Sequence, residues 1–155
     1  KDLVDKIRKA IPDAAITTDL IMGFPGETSE HFIETLELIK EIKYDAAYTF
    51  LYSKRSGTPA AIMDEQVDLA EKKKRLQILM DVQNDISLNI NKTYEGRTVE
   101  VMVEGPSKTD ENRFTGRTGT NKIVIWDKKG FESTGDLVNV KITKAQTWVL
   151  NGELN

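Results

Sequence analysis

The chain has 155 residues, of which 39% are hydrophobic and 30% charged, with a formal net charge of -3. That suits one ordinary globular domain or two small ones, and argues against a polyanion-binding surface spread over the whole molecule. With no cysteine and one histidine, His31, it has no means of making a disulfide, a thiolate or imidazole-based metal centre, or an iron–sulfur ligand set, so no metal site is expected within these residues. No apolar run approaches the roughly 20 residues that span a bilayer and no charged-then-apolar leader opens the chain, so the expectation is a soluble, cytoplasmic protein without a membrane partner.

The charge is unevenly distributed. From Lys92 onward 10 Lys and Arg face 9 Asp and Glu, a net of +1; residues 1–91 hold 12 against 16, a net of -4. The chain also opens inside a helical pattern and without an initiating Met, which reads as a segment cut from something longer.

In chain order, Leu3, Val4, Ile7 and Ile11 repeat at helical spacing until Pro12 stops them. Ala14 to Met22 (AAITTDLIM) is short, apolar and β-branched, the pattern of a buried strand. Gly23 to Thr28 (GFPGET) is a turn rich in chain breakers. Thr28 or Ser29 can then cap a helix whose Phe32, Leu36 and Ile39 share one stripe, with Glu27 and Glu30 near its positive end. Tyr44 to Tyr52 (YDAAYTFLY) is again strand-like, so this stretch predicts a parallel βαβ unit with a right-handed crossover.

Residues 53–64 read as a loop. From Gln66 to about Lys92, Leu69, Leu76, Leu79, Met80, Gln83, Ile86 and Ile90 recur at intervals of three and four, predicting a long helix. Its run Glu71-Lys-Lys-Lys-Arg75 reads as a solvated helix face rather than a nucleic-acid patch. Beyond Thr93 the period shortens to two. Val99, Val101 and Val103 alternate with Glu100, Met102 and Glu104 in a strand ended by Gly105-Pro106. Further strands are predicted at 113–118, 122–126, 137–143 and 147–150. Five short strands in so few residues argue for a small closed β-barrel, because closure removes exposed edges. The domain boundary is therefore placed near 92–96, dividing an α/β part from an all-β part.

Several residues are candidates for chemistry. The GFPGET turn leaves the C-terminal end of a strand, the rim where α/β sheets bind ligands, and leads into a helix whose terminal amides favour anionic oxygens. An ordinary strand-to-helix connection would use the same glycines, and the spacing fits neither a Walker A loop nor a dinucleotide fingerprint. Lys54 and Arg55 follow the next strand and would project from the same rim, as phosphate or carboxylate partners or as solvated loop cations. Asp19 lies within an apolar strand, a setting in which a carboxylate usually has a partner. His31 reads as a surface or packing residue. In the second half, Arg113, Phe114, Arg117, Asn121 and Lys122 cluster within ten residues. Cations neutralise phosphates, a ring can stack on a base, and Asn can bond a base edge. The alternative is that Phe114 and Trp126 are core and the cations dress a turn.

Five stretches resemble one family. TTDLIMGFPGETSEHFIETL, YTFLYSKRSGTPAA, QNDISLNINKTYEGRTVEVMVEGPSK, TGRTGTNKIVIW and VNVKITKAQTWVLNGEL are similar to the bacterial tRNA methylthiotransferases of the MiaB type, and the similarity covers essentially the whole chain. The resemblance implies the end of a radical S-adenosylmethionine (β/α) barrel over 1–91, then a small antiparallel TRAM β-barrel over 92–155 that binds RNA. In that family one [4Fe–4S] cluster sits on a CxxxCxxC motif, an N-terminal domain holds a second on three more cysteines, and a methylthio group is placed on carbon 2 of an isopentenylated adenosine beside the anticodon.

By that resemblance S-adenosylmethionine contact is expected at Asp19, Gly23, Pro25, Gly26 and Tyr52. Substrate contact is expected at Arg55; the cluster of Arg113, Phe114, Arg117, Asn121 and Lys122, singled out by residue type, is where RNA contact is expected, with a tRNA anticodon stem-loop as the partner and no DNA. The superfamily pattern GxIxGxxE is kept only in part: Ile21 and Gly23 fit, but the Glu, Glu27, is one place late. Because the cluster cysteines are absent, none of these residues is expected to be catalytic and the chain alone is expected to be inactive. A sibling family modifies an aspartate of a ribosomal protein. The basic Lys54-Arg55 and the TWVLNGEL ending favour tRNA over it, and a stand-alone RNA-binding adaptor is the remaining alternative.

Overall fold

The structure, a computed structural model, describes residues 1–154. Contacts divide the described residues into two compact units, one formed by residues 1–5 and 16–86, the other by residues 6–15 and 87–154.

In the first unit β1 (Thr17–Met22) and β2 (Ala46–Leu51) pair in parallel, joined by α2 (Ser29–Ile42). α2 starts where its caps dictate. The Thr28 Oγ1 accepts the His31 N–H at 3.3 Å and His31 Nδ1 accepts the Thr28 N–H at 3.3 Å, a reciprocal capping box. It stops where Lys43 turns left-handed at φ 54° and donates its N–H to the Ile39 carbonyl. A short 3₁₀ turn, Pro59–Ile62, interrupts the expected loop. α3 (Leu69–Lys92) begins three residues later than its apolar repeat suggests, because Asp68 Oδ2 accepts the Ala70 N–H at 2.8 Å and so caps the helix there. Met22, Phe32, Ile39 and Leu79 form the core.

The sequence reads β1 as buried, and this the structure corrects. Burial alternates along it, with Met22 at 3% exposure and Ile21 at 52%. Asp19 therefore lies on an exposed face rather than in an apolar interior, in register with Tyr48. Among the described residues the sheet has two strands, and its core residues lie on one side only.

The second unit contains α1 in part (Asp2–Ala10), the end of α3, and a closed barrel of β3 (Thr98–Pro106), β4 (Arg113–Thr118), β5 (Ile123–Asp127), β6 (Leu137–Ala145) and β7 (Val149–Leu154), in the order β3-β4-β5-β7-β6. The expectation of an antiparallel barrel is corrected at one seam: β5 and β7 run parallel, Ile123 opposite Val149. Strands that alternate direction around a ring close evenly only in even number, so a five-stranded ring must contain a parallel pair. β3 ends at the expected Gly105-Pro106, after a register shift between Val103 and Gly105 where Gly105 takes a φ of 134°.

The barrel core is Val101, Val103, Val124, Trp126, Val140, Ile142, Ala145 and Leu150. Each large aliphatic side chain buried there contributes about 1.5–3 kcal/mol. Gly152 lets β7 approach β6: a Cβ there would lie 2.6 Å from the Lys141 carbonyl oxygen.

Candidate functional site

Two groups of residues carry the candidate chemistry, one in each unit. At the C-terminal ends of β1 and β2 the turn Gly23–Thr28 is held from below by α3. Gly23, at φ 74°, donates its N–H to Glu27 Oε2 at 2.8 Å. The other oxygen of that carboxylate, Oε1, accepts from Arg75 Nη1 at 2.8 Å, and the same nitrogen reaches the Glu27 carbonyl at 2.8 Å. Arg75 is 5% exposed, and Glu71 takes its Nε at 2.9 Å. Burial works against the guanidinium's charge, but the two carboxylates outweigh it and raise its pKa.

One helical turn earlier Lys72, 7% exposed, lays its alkyl chain where a Gly23 side chain would stand; a Cβ on Gly23 would lie 2.2 Å from Lys72 Cγ. The Lys72 ammonium donates to the Tyr52 carbonyl at 3.2 Å and lies 4.8 Å from the centroid of the Tyr52 ring. The basic run of α3 is thus not a solvated face throughout. Lys73 and Lys74 are exposed, whereas Lys72 and Arg75, three apart, point with Leu76 and Leu79 toward the unit's interior.

Beside this turn lies a groove of about 490 Å³ lined by Phe24, Phe50, Tyr52 and Arg55 among others. Phe24 and Tyr52 meet edge to face, centroids 5.2 Å apart. The Tyr52 hydroxyl is buried and lacks a hydrogen-bond partner. Of the residues expected at the rim, Tyr52 and Arg55 line the groove. Asp19 lies on the same exposed strand face as Ile21, which also lines it. Gly23 and Pro25 are buried in the turn, and Gly26 donates its N–H to the Glu65 carbonyl at 2.8 Å. Phe24 and Phe50 were not singled out from sequence, being indistinguishable there from core aromatics.

On the barrel the five residues expected to meet RNA divide. Arg113 Nη2 donates to Asn151 Oδ1 at 3.0 Å and its Nε lies 3.3 Å from Asp127, so it ties β4 to β7 and β5. Phe114 is half-buried, stacked on the core Trp126 with centroids 6.2 Å apart and with the Lys128 ammonium 5.1 Å from its ring centre. Arg117 pairs with Glu104 at 2.9 Å and with Asn121 Oδ1 at 2.9 Å. Asn121, at φ 63°, shapes the turn between β4 and β5. Lys122 lies 5.4 Å from the ring centre of Tyr94, which Arg97 also approaches, at 5.6 Å.

A third feature is structural. Glu132, 8% exposed, accepts the N–H groups of Lys129, Gly130 and Phe131 and the Trp126 indole N–H. Burial would raise its pKa, but these donors prevail and hold the carboxyl below the ordinary range. Among the described residues no cluster of His, Cys, Asp or Glu could hold a metal ion, and no helix is long and apolar enough to cross a membrane.

Residues 92–154 match the TRAM domain. Over nearly its whole length the chain is also similar to proteins named tRNA-2-methylthio-N(6)-dimethylallyladenosine synthase. It is 54% identical to that of Thermoanaerobacter sp. (strain X514) over 99% of the chain and 32% of the relative. The figures are 55%, 98% and 34% for Clostridium botulinum (strain Hall), and 52%, 99% and 32% for Acetivibrio thermocellus. The chain therefore spans about a third of the length of these curated relatives.

Proposed function

We propose that this chain is the C-terminal part of a radical S-adenosylmethionine methylthiotransferase acting on tRNA. In this reading residues 1–91 end the catalytic α/β barrel and residues 92–155 grip the RNA. The observation that carries it is the extent of the similarity: identity of 54% runs through both units at once, not through the TRAM domain alone. A rim with a groove and an RNA-binding barrel are thus joined in one chain, as an enzyme that modifies a nucleoside within a folded RNA requires.

The groove suits an adenosyl group. It is lined by aromatic rings, includes a tyrosine whose buried hydroxyl has no partner, and has a cation at Arg55. Asp19 and the backbone of Pro25 and Gly26 would complete the S-adenosylmethionine contacts, with Glu27 committed instead to Arg75 and Gly23. Iron–sulfur clusters do not fit here, since the sequence contains no cysteine; the two [4Fe–4S] clusters of such an enzyme would be held by other parts of the longer protein. When bound, clusters and cofactor supply the radical chemistry. The residues of this chain hold the rim rigid, bind the substrate side of the groove and position the tRNA, for which the anticodon stem-loop is the expected element.

The reading is tested by titrating the 155-residue chain with tRNA while salt is varied. Binding that weakens as salt rises is expected, because released counterions drive it. Lack of affinity for tRNA at low salt would overturn the RNA-gripping role.

A further inference from the structure

One end of the barrel gathers features that the expected RNA residues only touch. The parallel pairing of β5 and β7 sets Ile123 opposite Val149, so the residues one step before them, Lys122 and Trp148, precede neighbouring strands at the same end of the barrel. Trp148 is 60% exposed, in contrast to the core Trp126 at 0%. An exposed indole usually costs solvation, yet this one stands on a firmly built turn. Gln146 donates its N–H to the Val149 carbonyl at 2.8 Å. The carbonyls of Gln146 and Thr147 both accept from the amide of Asn91, which is 6% exposed, at 2.9 and 3.0 Å.

At the same end Arg97 and Lys122 converge on the ring of Tyr94, at 5.6 and 5.4 Å from its centre. The Tyr94 hydroxyl lies 3.4 Å from Thr120 Oγ1, so the ring is tied to the β4–β5 turn. Glu104 is engaged with Arg117, and Glu95 with the Ala145 N–H at 2.8 Å. Bringing two cations to one ring creates a local positive field that favours an anion. The exposed indole at the same end of the barrel offers a flat apolar surface of the kind on which an unpaired base stacks.

We propose that this end of the barrel binds a single-stranded nucleotide of RNA, with Arg97 and Lys122 holding backbone phosphate and Trp148 stacking on the base. Asn91 and Tyr94 are positioning residues, fixing the turn and the two cations. The assignment rests on the RNA-gripping reading and moves its centre away from Arg113 and Phe114, whose side chains are occupied within the barrel.

The test uses the 155-residue chain, an unstructured oligoribonucleotide and a duplex of the same composition, read by tryptophan emission and by affinity across a salt series. Because Trp126 is buried, the change in emission on binding should come from Trp148 and be larger with the single strand. Trp148→Ala is expected to weaken single-strand binding by about 5- to 100-fold. Arg97→Gln and Lys122→Gln should each make the salt dependence shallower by about one phosphate contact, with Arg113→Gln as the comparison that leaves it unchanged. Circular dichroism of each variant verifies that the barrel is folded. If the parent chain binds RNA but all three variants bind as it does with the same salt slope, this site is refuted while the RNA-gripping reading stands. If Trp148 emission is silent toward RNA and responds instead to a protein, the surface is a protein contact and the proposal fails. If the parent chain binds no RNA, both fall.

Discussion

In the barrel every strand has two hydrogen-bonded neighbours, whereas β1 and β2 of the other unit have one each. The consequence is visible in the side chains. All eight core residues of the barrel are buried at 8% exposure or less, while Ile21, Tyr48 and Phe50 on the two-stranded sheet are 52%, 64% and 51% exposed. The barrel completes its own core; the strand–helix–strand unit buries one sheet face and presents the other. Rigidity at its rim comes less from the sheet than from α3, through the buried Arg75–Glu27 pair and the Lys72 stem under Gly23.

That contrast can be broken at its strongest points first. Arg75→Ala leaves the Glu27 carboxylate in a nearly buried site without its partner, at a cost of about 3–5 kcal/mol. Trp126→Ala opens a cavity in the barrel at a similar cost of about 3–5 kcal/mol. Hydrogen exchange read segment by segment should lower protection around residues 23–28 in the first variant and across β3–β7 in the second. Uniform loss in either would mean that the two units do not carry their stability separately.

The bare sheet face gives the next effect. The chain is expected to self-associate through Ile21, Tyr48 and Phe50, each such side chain contributing about 1.5–3 kcal/mol when covered. Light scattering over a concentration series should show association that Phe50→Gln weakens. A monomer at all concentrations would contradict it.

Within the barrel, Glu132→Gln replaces one carboxylate oxygen by an amide nitrogen, so that with Oε1 kept the Gly130 and Phe131 N–H groups lose their acceptor, and it is expected to cost about 1–3 kcal/mol at neutral pH. The sign of its pH dependence follows from its lowered pKa. The carboxylate's contribution is present above its ordinary value of 4.5 and is lost as pH falls through the lower folded value, so the gap between parent and variant narrows in acid. Denaturant melts at several pH values check this. The smallest effect is expected at Tyr52→Phe: removing a buried hydroxyl without a partner should leave stability unchanged or slightly raised. A loss of about 2 kcal/mol would show that the hydroxyl has a partner after all.

Periodicity made the elements legible. The helical stripe of Phe32, Leu36 and Ile39 and the alternation of Val99, Val101 and Val103 follow directly from what each face must bury. What sequence does not carry is which face a neighbour covers. Asp19 reads as buried among apolar residues, yet half of those residues face outward. Lys72 and Arg75 read as members of a charged run because charge suggests solvent; their spacing to Leu76 and Leu79 was the available signal that they turn inward. At the barrel end, Lys122 was identifiable from local composition, but Tyr94 and Arg97 precede the first strand and Trp148 the last, and it takes the ring contacts to Tyr94 and the parallel pairing of β5 with β7 to bring them to the end where Lys122 stands. Phe114 is the converse case, a ring that composition offers for stacking and packing assigns to Trp126.

The proposed methylthiolation of a tRNA adenosine is tested by mass spectrometry of tRNA nucleosides from cells with and without the gene that encodes this chain. Without the gene, the methylthio form of isopentenyladenosine is expected to disappear and its unthiolated precursor to accumulate. An unchanged nucleoside profile would contradict it.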